Sequence, residues 1–472
     1  MNAKVKSPKL WHALLPVFLM IFFLGFNIFK YKGSPHLPLV GGSMVASLMG
    51  LYLGHSWKEI EKGIVSGIMI ALQACLILMI IGVLIGAWIV GGIVPTMIYF
   101  GLKILSPSIF LVATTLICAL VSLATGSSWS TAGTVGVALV GVGQGLGIPL
   151  PMVAGAIISG SYFGDKMSPL SDTTNLAPAV AGSELFSHIR HMIYTTGPSF
   201  IISLVLYGLL GLRYNNADMQ QDNINLILQT LGANFNTHPI MLLPVVLVII
   251  MVIFRIPALP ALLGNAMLGG IFALLFQDAD LGIVLGAAQN GYVAETGVAS
   301  VDALLSRGGM ESMMSTVALI ICALSFGGVM ERTGMLNVIG EAVLRRAKSS
   351  GSLVMSTIIT AIGMNIIAPD QYLSIVVPGR MYREAYKKAK LKPKNLSRAL
   401  EDGGTLSSCL IPWNTGGAYM WATLGVYPFA YLPFAFLNLI NPVISIILGY
   451  TGLTMEKEEE ENLPKNSAAS EG

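Results

Sequence analysis

Apolar and polar residues along this chain occur in long blocks, unlike the short alternation that is typical of a soluble domain. Within residues 63–164 the only charged residue is Lys103, and residues 403–455 contain none. Because a bilayer core of about 30 Å takes about 20 apolar residues per helix, each block holds several spans. Unbroken apolar runs such as 14–25 and 242–254 indicate helices, since the strands of a membrane barrel alternate at every second residue.

Short sequence features recur at a fixed distance along the chain. Leu-Leu-Pro-Val occurs at 14–17 and again at 242–245. An offset of 242 residues pairs further positions: Gly86 with Gly328, Gly92 with Gly334, Ser128 with Asp370, Asp172 with Asn414, and Thr173 with Thr415. The fixed offset predicts an internal duplication, with a first copy at 11–212, a connector at 213–237 and a second copy at 238–452.

Each copy is predicted to form about five spans, a short surface helix, a hairpin and an interrupted helix. The uninterrupted spans are expected at 11–29, 38–54, 63–85 and 192–212 in the first copy, and at 239–254, 258–277, 310–327 and 429–450 in the second. The surface helix is clearest at 335–348, where apolar and charged residues alternate in an amphipathic pattern. The fold class predicted is therefore an all-α polytopic membrane protein.

A pair of short apolar segments meets at a polar point in each copy. Residues 110–124 and 130–141 form the first pair, and residues 353–367 and 373–382 form the second. Each segment has about 12–15 residues, fewer than a span requires, so we expect two re-entrant helical hairpins.

One further helix in each copy is predicted to be interrupted, at 168–175 and at 411–417. Both breaks combine proline with Ser, Thr or Asn. Repeated units with discontinuous helices are typical of transporters, in which the breaks form a binding site at the middle of the bilayer.

Composition supports the membrane assignment. Hydrophobic residues make up 54% of the 472 residues and charged residues 11%, and the mean hydropathy is +0.73. Soluble domains carry about 25% charged residues. The four cysteines lack metal-type spacing, so neither a disulfide framework nor a zinc site is expected. The absence of a P-loop argues against an ATP-driven pump, and we expect neither a cofactor nor a nucleic-acid partner.

Basic residues are concentrated beside the second hairpin. Residues 380–398 carry eight Lys or Arg and one Glu, whereas the matching loops of the first copy, 101–107 and 141–151, carry only Lys103. The positive-inside rule therefore places the loops of the second hairpin in the cytoplasm and those of the first hairpin outside. An odd number of spans per copy leads to the same result, so the repeats are expected to be inverted.

Both termini are then predicted to be cytoplasmic, and the connector 213–237 is predicted to be extracytoplasmic. Residues 1–10 are basic, and residues 453–472 form an acidic tail that we expect to be disordered. Residues 11–29 are long enough to span and no cleavage signal follows them, so they are not interpreted as a secretory signal peptide. Residues 282–309 have no counterpart in the first copy, and the pattern does not place them.

Two acidic residues, Asp172 and Asp370, lie at the polar breaks of otherwise apolar regions. A carboxylate at the centre of a membrane helix costs about 2.5–3.5 kcal/mol to insert, so each requires a partner or a function. Because hard cations prefer oxygen ligands, we expect both to bind Na⁺. The other expected ion-binding residues are Ser128, Asp165, Ser171, Thr173, Asn175, Asn414 and Thr415. A carboxylate that holds either a proton or a sodium ion would couple the two fluxes.

Structural roles are the alternative for several of these residues. Asp172 or Asp370 could pair with Lys166 or Arg380, and Asp165 could form an interfacial ion pair with Lys166. The serines near the first hairpin turn could cap helix ends.

Two histidines, His188 and His191, are close enough in sequence to form a pair. We expect them to form a pair on the cytoplasmic surface rather than a pH sensor.

The first break resembles a known family. The stretch 164–175, with the sequence GDKMSPLSDTTN, is similar to the NhaC-type sodium/proton antiporters, as are Gly126-Ser127-Ser128 and the sequence IPWNT at 411–415. The likeness covers nearly the whole chain apart from the tails. It implies an electrochemically driven antiporter of the bacterial cytoplasmic membrane that contributes to pH homeostasis. It also implies a homodimer formed through the early spans of each copy.

Two transport activities remain open at this point. Na⁺/H⁺ antiport is the first hypothesis, because the breaks are rich in Ser, Thr and Asp. The second is exchange of malate for lactate coupled to Na⁺ and H⁺, which the resemblance also includes. A dianion would require fixed positive charge, for which Lys166 and Arg380 are the nearby candidates. A hydrolase is disfavoured, since no histidine lies near either break, and a channel does not require duplicated interrupted helices.

Overall fold

A computed structural model describes residues 5–31, 33–214, 218–254 and 256–458, and the regular elements among them are all helices. The all-helical architecture predicted from the apolar runs is therefore confirmed. The first residues of the predicted N-terminal segment 1–10 and residues 459–472 of the predicted acidic tail lie outside the described residues.

The helices of the first half follow the predicted order, except that the single span expected at 63–85 is divided at Ala71 into two helices; the connector contains a helix that was not predicted. They are Leu10–Tyr31, His36–Tyr52, Trp57–Ile70, Leu72–Val90, Ile93–Ile104, Pro107–Thr125, Ser128–Thr131, the π-helical turn Ala132–Gly136, Val137–Gly145, Leu150–Met167, Asp172–Ala181, Leu185–Gly211, the 3₁₀ turn Leu212–Tyr214 and Asp218–Asn234. Residues 128–145 form one continuous helical arm.

The second half begins with the 3₁₀ turn Pro239–Leu242. The helices that follow are Leu243–Ile253, Ala258–Phe276, Leu281–Asn290, Ala299–Leu305, Met310–Arg332, Met335–Leu344, Ser350–Ile367, Gln371–Lys388, Pro393–Leu400, the π-helical turn Glu401–Thr405, Leu406–Ser408, Thr415–Leu424, Pro428–Tyr431, the 3₁₀ turn Leu432–Phe434 and Phe436–Thr451. Residues 393–408 form one continuous helical segment.

Several helices are long and apolar enough to cross a bilayer. Within the described residues there are seven, or up to nine if each of two bent helix pairs counts as one span. The seven are Leu10–Ile28, Leu72–Val90, Pro107–Thr125, Leu185–Tyr214, Ala258–Phe276, Met310–Arg332 and Ser350–Ile367. Large apolar side chains such as Phe18, Leu37 and Leu120 are exposed on the outer faces of helices, as expected for lipid contact. The chain is a multi-pass membrane protein.

The bounds of the helices repeat with nearly the predicted spacing. Ile93–Ile104 corresponds to Met335–Leu344, and each begins after a glycine with φ of +75°, Gly92 and Gly334 respectively. A side chain at either position would be strained, because that left-handed conformation favours glycine. The same backbone requirement therefore explains why glycine occurs at both positions.

The arms of both hairpins are longer than predicted. The first hairpin consists of Pro107–Thr125 and the arm 128–145, and the second consists of Ser350–Ile367 and Gln371–Lys388. The expectation of arms of about 12–15 residues is wrong, because the helices continue through polar and glycine-rich sequence beyond the apolar stretches. The argument for re-entrance from arm length alone therefore does not hold.

The first helix breaks within the predicted segment 168–175, and the break of the second, at 409–414, overlaps the predicted segment 411–417 but begins two residues earlier. The first broken helix stops at Met167 and restarts as Asp172–Ala181, and the second stops after residue 408 and restarts as Thr415–Leu424. Ser171 begins the restart of the first by accepting a hydrogen bond from the backbone N–H of Thr174.

The restarted segments pack reciprocally on the opposite hairpins. Asp172–Ala181 packs against Gln371–Lys388 of the second hairpin, and Thr415–Leu424 packs against the first hairpin at Ala132–Gly136. In the second contact the ring of Tyr419 stacks on that of Trp129, with centroids 4.1 Å apart. This exchange brings the four polar breaks together around one cavity.

The segment without a counterpart, 282–309, lies largely in two short helices. Leu281–Asn290 packs along Leu72–Val90, where the backbone of Gly86 meets that of Ala287. A Cβ atom at Gly86 would lie 2.0 Å from the carbonyl oxygen of Ala287, so the close contact requires glycine.

Candidate ion-binding site

The four breaks surround a cavity of about 470 Å³. The turns of the two hairpins and the restarts of the two broken helices supply its polar wall. Its lining residues from these breaks are Thr125, Gly126, Ser127, Trp129, Ser130, Asp165, Leu170, Ser171, Asp172, Thr173, Asp370, Gln371, Tyr372 and Thr415. Residues of Leu72–Val90, among them Gln73 and Ala74, form part of the remaining wall.

Asp165 lies at the end of the first half of the broken helix and is only 6% exposed. Its Oδ2 accepts hydrogen bonds from the hydroxyl of Ser128 at 2.6 Å and from the backbone N–H of the same residue at 3.2 Å. Two donors aimed at one carboxylate oxygen favour the ionised form. The predicted pair Asp165–Lys166 is not formed, because the Lys166 side chain contacts Asp402 instead.

Asp172 is the first residue of the restarted helix, and its side chain is exposed to the cavity. The hydroxyl of Tyr372 donates to its Oδ2 at 3.4 Å. The sequence analysis placed this carboxylate at a polar break, and in the structure that break lines a polar cavity to which the side chain is exposed. Asp172 therefore remains available to a cation.

The neighbours of Asp172 divide into cavity and scaffold residues. Ser171 and Thr173 line the cavity, and their hydroxyl oxygens lie 3.2 Å apart. Asn175 does not line it, since its amide donates to the backbone carbonyl groups of Pro169 and Ser171 at 2.8 and 2.7 Å. With these hydrogen bonds Asn175 stabilises the backbone of the break.

Asp370 is 3% exposed and precedes the second arm of the second hairpin. Its Oδ1 accepts hydrogen bonds from the backbone N–H groups of Tyr372 at 2.9 Å and Leu373 at 3.1 Å, which caps that helix. The same carboxyl group lines the cavity. Asp370 therefore combines a structural contact with a position at the candidate site.

The second break contributes Thr415, whose backbone N–H donates to the carbonyl group of Pro369 at 3.0 Å. Asn414 lies behind the lining, where its amide donates to the side-chain oxygen of Asn365 at 2.9 Å and its own oxygen caps the helix. Of the predicted ion-binding residues, Asn175 and Asn414 are thus the two amides that support the site from outside.

Charge distribution favours a cation in the cavity. Three carboxyl groups line it, those of Asp165, Asp172 and Asp370, and no Lys or Arg does so among the described residues. Arg380 is exposed at the surface, and Lys166 is directed elsewhere. Within the same described part of the chain, no group of three or more His, Cys, Asp or Glu residues is arranged to hold a metal ion. The oxygen-rich wall suits a monovalent hard cation.

A second set of charged residues is buried away from the cavity, and the sequence analysis did not identify it. The Nζ atom of Lys166 forms an ion pair with Oδ1 of Asp402, and the hydroxyl of Thr195 donates to the same oxygen at 3.2 Å. Glu401 and Arg398 are fully buried nearby. Glu401 and Asp402 had a weak signal, as adjacent acids directly before the charge-free block 403–455.

The two histidines are also buried, so the predicted surface pair is wrong. His188 is 0% exposed and His191 is 1% exposed. His191 is covered by the segment after the last helix, where its Nδ1 lies 3.9 Å from Oε1 of Glu456. His191 is buried because residues 452–458, hereafter the C-terminal strap, cross over this part of the protein.

Comparison with known proteins adds sequence relatives to this geometry. Residues 160–453 match the family model of the Na⁺/H⁺ antiporter family. The chain is 40% identical over 455 residues to the Na⁺/H⁺ antiporter NhaC of Alkalihalophilus pseudofirmus, and the matched stretch covers 96% of this chain and 98% of the relative. It is 41% identical over 450 residues to the malate-2H⁺/Na⁺-lactate antiporter of Bacillus subtilis, covering 95% and 96%. It is 38% identical over 466 residues to the arginine/ornithine antiporter ArcD of Halobacterium salinarum, covering 98% and 96%.

Proposed function

The chain belongs to the Na⁺/H⁺ antiporter family, and from this premise we propose that it exports sodium ions in exchange for protons. The observation that carries the proposal is the cavity at the four breaks, which is lined by three carboxyl groups and, in the described part of the chain, by no basic side chain. A sodium ion bound there would compensate the negative charge of the wall.

Competition for the carboxylates couples the two fluxes. The proposed sodium ligands are Asp165, Asp172 and Asp370, with hydroxyl oxygens of Ser171, Thr173 and Thr415 and backbone carbonyl groups freed by the breaks. A proton that neutralises this wall weakens sodium binding, and a sodium ion favours loss of the proton. Each site therefore carries one cation or the other across the membrane. No cofactor and no enzymatic step is part of this cycle.

Alternating access is proposed to use the two repeats, 11–212 and 238–452, as units of inverted topology. The reciprocal packing of Asp172–Ala181 and Thr415–Leu424 on the opposite hairpins supports this, because related units exchange equivalent contacts. The connector helix Asp218–Asn234 lies against the end of the first hairpin, where Gly145 approaches Ile227. The ion site at the shared centre would face each side in turn.

Both termini are proposed to be cytoplasmic. The backbone N–H of Lys6 donates to the carbonyl group of Leu53, and Pro8 lies beside Gly334, which begins the surface helix with basic residues after it. The C-terminal strap joins the basic segment, since the N–H of Lys392 donates to the carbonyl group of Glu456 at 2.9 Å. These contacts support one basic face, and the positive-inside rule places such a face in the cytoplasm.

Labelling from one side of a membrane tests this topology. Single cysteines at Pro149 and Lys388, both exposed, would lie at the far ends of the two hairpins. We expect them to react with an impermeant thiol reagent from opposite sides in a background without native cysteines. Reaction of both from the same side would contradict the inverted arrangement.

We further propose a homodimer in the inner membrane of a bacterium, formed by the first two spans of each copy. Exposed apolar side chains on His36–Tyr52 and Ala258–Phe276 leave surface for such contacts. Cysteine crosslinking in membranes tests this, and crosslinks confined to the first hairpin would contradict it.

Transport by purified protein tests the function itself. In proteoliposomes with an internal pH-sensitive dye, an imposed sodium gradient is expected to move protons in the opposite direction with no organic acid present. The alternative is malate/lactate exchange coupled to Na⁺ and H⁺, which the relative from Bacillus subtilis makes a specific candidate. Proton movement that requires both malate and lactate would favour that activity and contradict simple antiport.

A further inference from the structure

The buried charged residues around Lys166, one of which also lines the cavity, form a group in which carboxyls outnumber cations. The cations are Lys166 and Arg398, and the carboxyl groups are Asp165, Glu401 and Asp402. Charges taken out of water must be compensated locally, since an unpaired buried ion is strongly unfavourable. Two cations balance only two of the three carboxylates, so the group is neutral when one carboxyl carries a proton.

Hydrogen bonding indicates which carboxyl is protonated. Asp165 receives two donors from Ser128, and Asp402 receives Lys166 and Thr195. Both are thus stabilised as carboxylates. Neither oxygen of Glu401 has a hydrogen-bond partner of normal geometry among the described residues, although the side chain is fully buried and the hydroxyl groups of Thr173 and Thr405 lie near it. Glu401 is therefore the carboxyl for which the charged form is least supported.

Local backbone geometry marks the same residue. Glu401 begins a π-helical turn, Glu401–Thr405, inside the second broken helix. Such turns widen a helix and occur frequently at functional sites. Lys166 and Asp165 of the first broken helix face Glu401 within electrostatic range. Both broken helices therefore contribute to the surroundings of this carboxyl group.

A row of titratable side chains extends from this group of buried charged residues to the surface. His188 faces Lys166 and His191, and its Nδ1 lies 2.8 Å from the hydroxyl of Ser397 while its Nε2 has no partner. Neither ring nitrogen of His191 has a hydrogen-bond partner of normal geometry among the described residues, although the Asn395 side chain lies near the ring, and Glu456 beyond it is 39% exposed.

Other charged groups around the row of titratable side chains are cationic. Arg398 and Lys394 face His191, and Arg398 also faces Asp402 and Tyr386. These cations disfavour a permanent imidazolium, so the histidines are suited to pass a proton rather than to store it. A free imidazole nitrogen can accept a proton while the ring releases one to the next group.

We propose that Glu401 carries the proton of the exchange cycle, and that His188 and His191 connect it to the aqueous side at Glu456. The inference rests on the proposed Na⁺/H⁺ antiport and refines it, because the proton exchanged for sodium is then held by Glu401 rather than by the carboxyl groups of the cavity wall. When sodium binds beside Asp165, the group gains one positive charge. Glu401 then loses its proton, which leaves through His188 and His191, and neutrality is restored. When sodium is released on the opposite side of the membrane, Glu401 takes up a proton from that side, so that sodium and the proton cross the membrane in opposite directions.

The variant Glu401→Gln separates proton coupling from sodium binding. In proteoliposomes the sodium-driven proton flux is expected to fall at least about tenfold, because Gln cannot exchange a proton. The rate at which radioactive sodium exchanges for unlabelled sodium, measured at a saturating sodium concentration, is expected to remain within about threefold of the wild-type rate. The surface variant Glu341→Gln, on an exposed side chain, serves as the matched control and should change neither flux.

Three results would overturn the assignment. One is a proton flux in Glu401→Gln close to that of wild type. Another is equal loss of both fluxes in a folded variant, which would indicate a structural role or a role in sodium binding. If the Gln variant does not fold, Glu401→Asp decides, since it retains a titratable group. We expect Glu401→Asp to exchange sodium for protons with a pH profile displaced from that of wild type. An unchanged pH profile is the third result that would overturn the assignment.

The histidine path has a separate test. His191→Gln is expected to slow the proton flux several-fold while leaving sodium–sodium exchange unchanged, and His55→Gln, at a partly exposed position, is the control. A His191→Gln protein with an unchanged proton flux would remove this residue from the path. If wild-type protein itself shows no sodium-driven proton movement, the proposed antiport fails, which is distinct from failure of Glu401 alone.

Discussion

Gly126 and Leu170 join the turn of the first hairpin to the break of the first broken helix. Gly126 has φ of +67°, and a Cβ atom added to it would lie 2.6 Å from the carbonyl carbon of Leu170. The two backbones are thus in direct contact at the cavity wall. This contact holds Ser128, two residues after Gly126, opposite Asp165, and so couples the geometry of one break to the other.

The variant Gly126→Ala is expected to disrupt this contact. A left-handed conformation costs an L residue roughly 1–2 kcal/mol, and relief of the clash with Leu170 adds to that cost. We expect a lower melting temperature and loss of sodium-dependent transport. Gly363→Ala is the matched control, because it lies in a helix with open space at Cβ and should stabilise or leave the protein unchanged. Equal behaviour of the two variants would show that the contact is unimportant.

The buried ion pair of Lys166 with Asp402 provides a second prediction. Removal of one partner leaves an uncompensated buried charge, so Lys166→Met should destabilise the protein by about 3–5 kcal/mol. The double variant Lys166→Met, Asp402→Leu should recover much of that loss, since both charges are then absent. Thermal unfolding of purified protein measures this. A single Lys166→Met variant that melts like wild type would contradict a structural pair.

The C-terminal strap provides a pH-dependent prediction outside the spans. A hydrogen bond from Lys394 lowers the pKa of Glu456 below its ordinary value. A lowered carboxyl pKa stabilises the docked strap above the ordinary value, and this contribution is lost as pH falls through the lowered pKa. The strap should therefore remain docked at neutral pH and loosen in acid.

Hydrogen exchange of residues 452–458 measures docking of the strap. Glu456→Gln should raise hydrogen exchange of the strap already at neutral pH, because a neutral Gln side chain no longer forms ion pairs with Lys392 and Lys394. Strap exchange that is the same in Glu456→Gln and wild type would show that other contacts hold it.

Much of the architecture could be predicted because apolar length and a fixed offset are local properties of a sequence. Gly92 and Gly334 share a backbone conformation that only glycine adopts easily, so their pairing in the sequence reflects a physical requirement. The polar breaks were visible because Ser, Thr and Asp contrast with apolar surroundings. Their meeting around one cavity depends on packing between distant helices, which local pattern does not encode.

The buried charged cluster could not be predicted for the same reason. Lys166 and Asp402 are 236 residues apart in sequence, and the offset of 242 residues places Asp402 opposite Gly160, so the duplication gave no signal. His191 was expected at the surface because it lies near a helix start, but the C-terminal strap covers it. Partners brought together by tertiary packing need the structure.

Substitutions of Asp370 can separate its role as a helix cap from the effect of its charge. Asn is as good a helix cap as Asp, so Asp370→Asn should melt like wild type while binding sodium more weakly. Asp370→Ala loses the cap as well and should cost about 0.5–2 kcal/mol of stability. Melting and sodium-dependent proton flux on the same preparations distinguish the two effects. Full transport by Asp370→Asn would remove this carboxylate from the ion site.

Asp172 is the most exposed carboxylate of the cavity, and its substitution gives the most direct test of the ion site. Its described hydrogen-bond partner is the hydroxyl of Tyr372 at 3.4 Å, so it is not part of a structural ion pair. Asp172→Asn keeps the shape but removes the charge at a helix start, which should cost at most about 1 kcal/mol of stability. Sodium affinity should fall at least about tenfold, equivalent to ~1.4 kcal/mol.

Asp172→Glu should retain part of the activity, since the carboxylate is displaced by about one methylene group but can still bind a cation or a proton. Asp222→Asn, exposed on the connector helix, is the control for the loss of one negative charge. Thermal unfolding and sodium-driven proton flux are measured on each variant. Because Asp172 has no buried partner, a folded Asp172→Asn protein that exchanges sodium for protons at the wild-type rate would exclude this residue from the ion site.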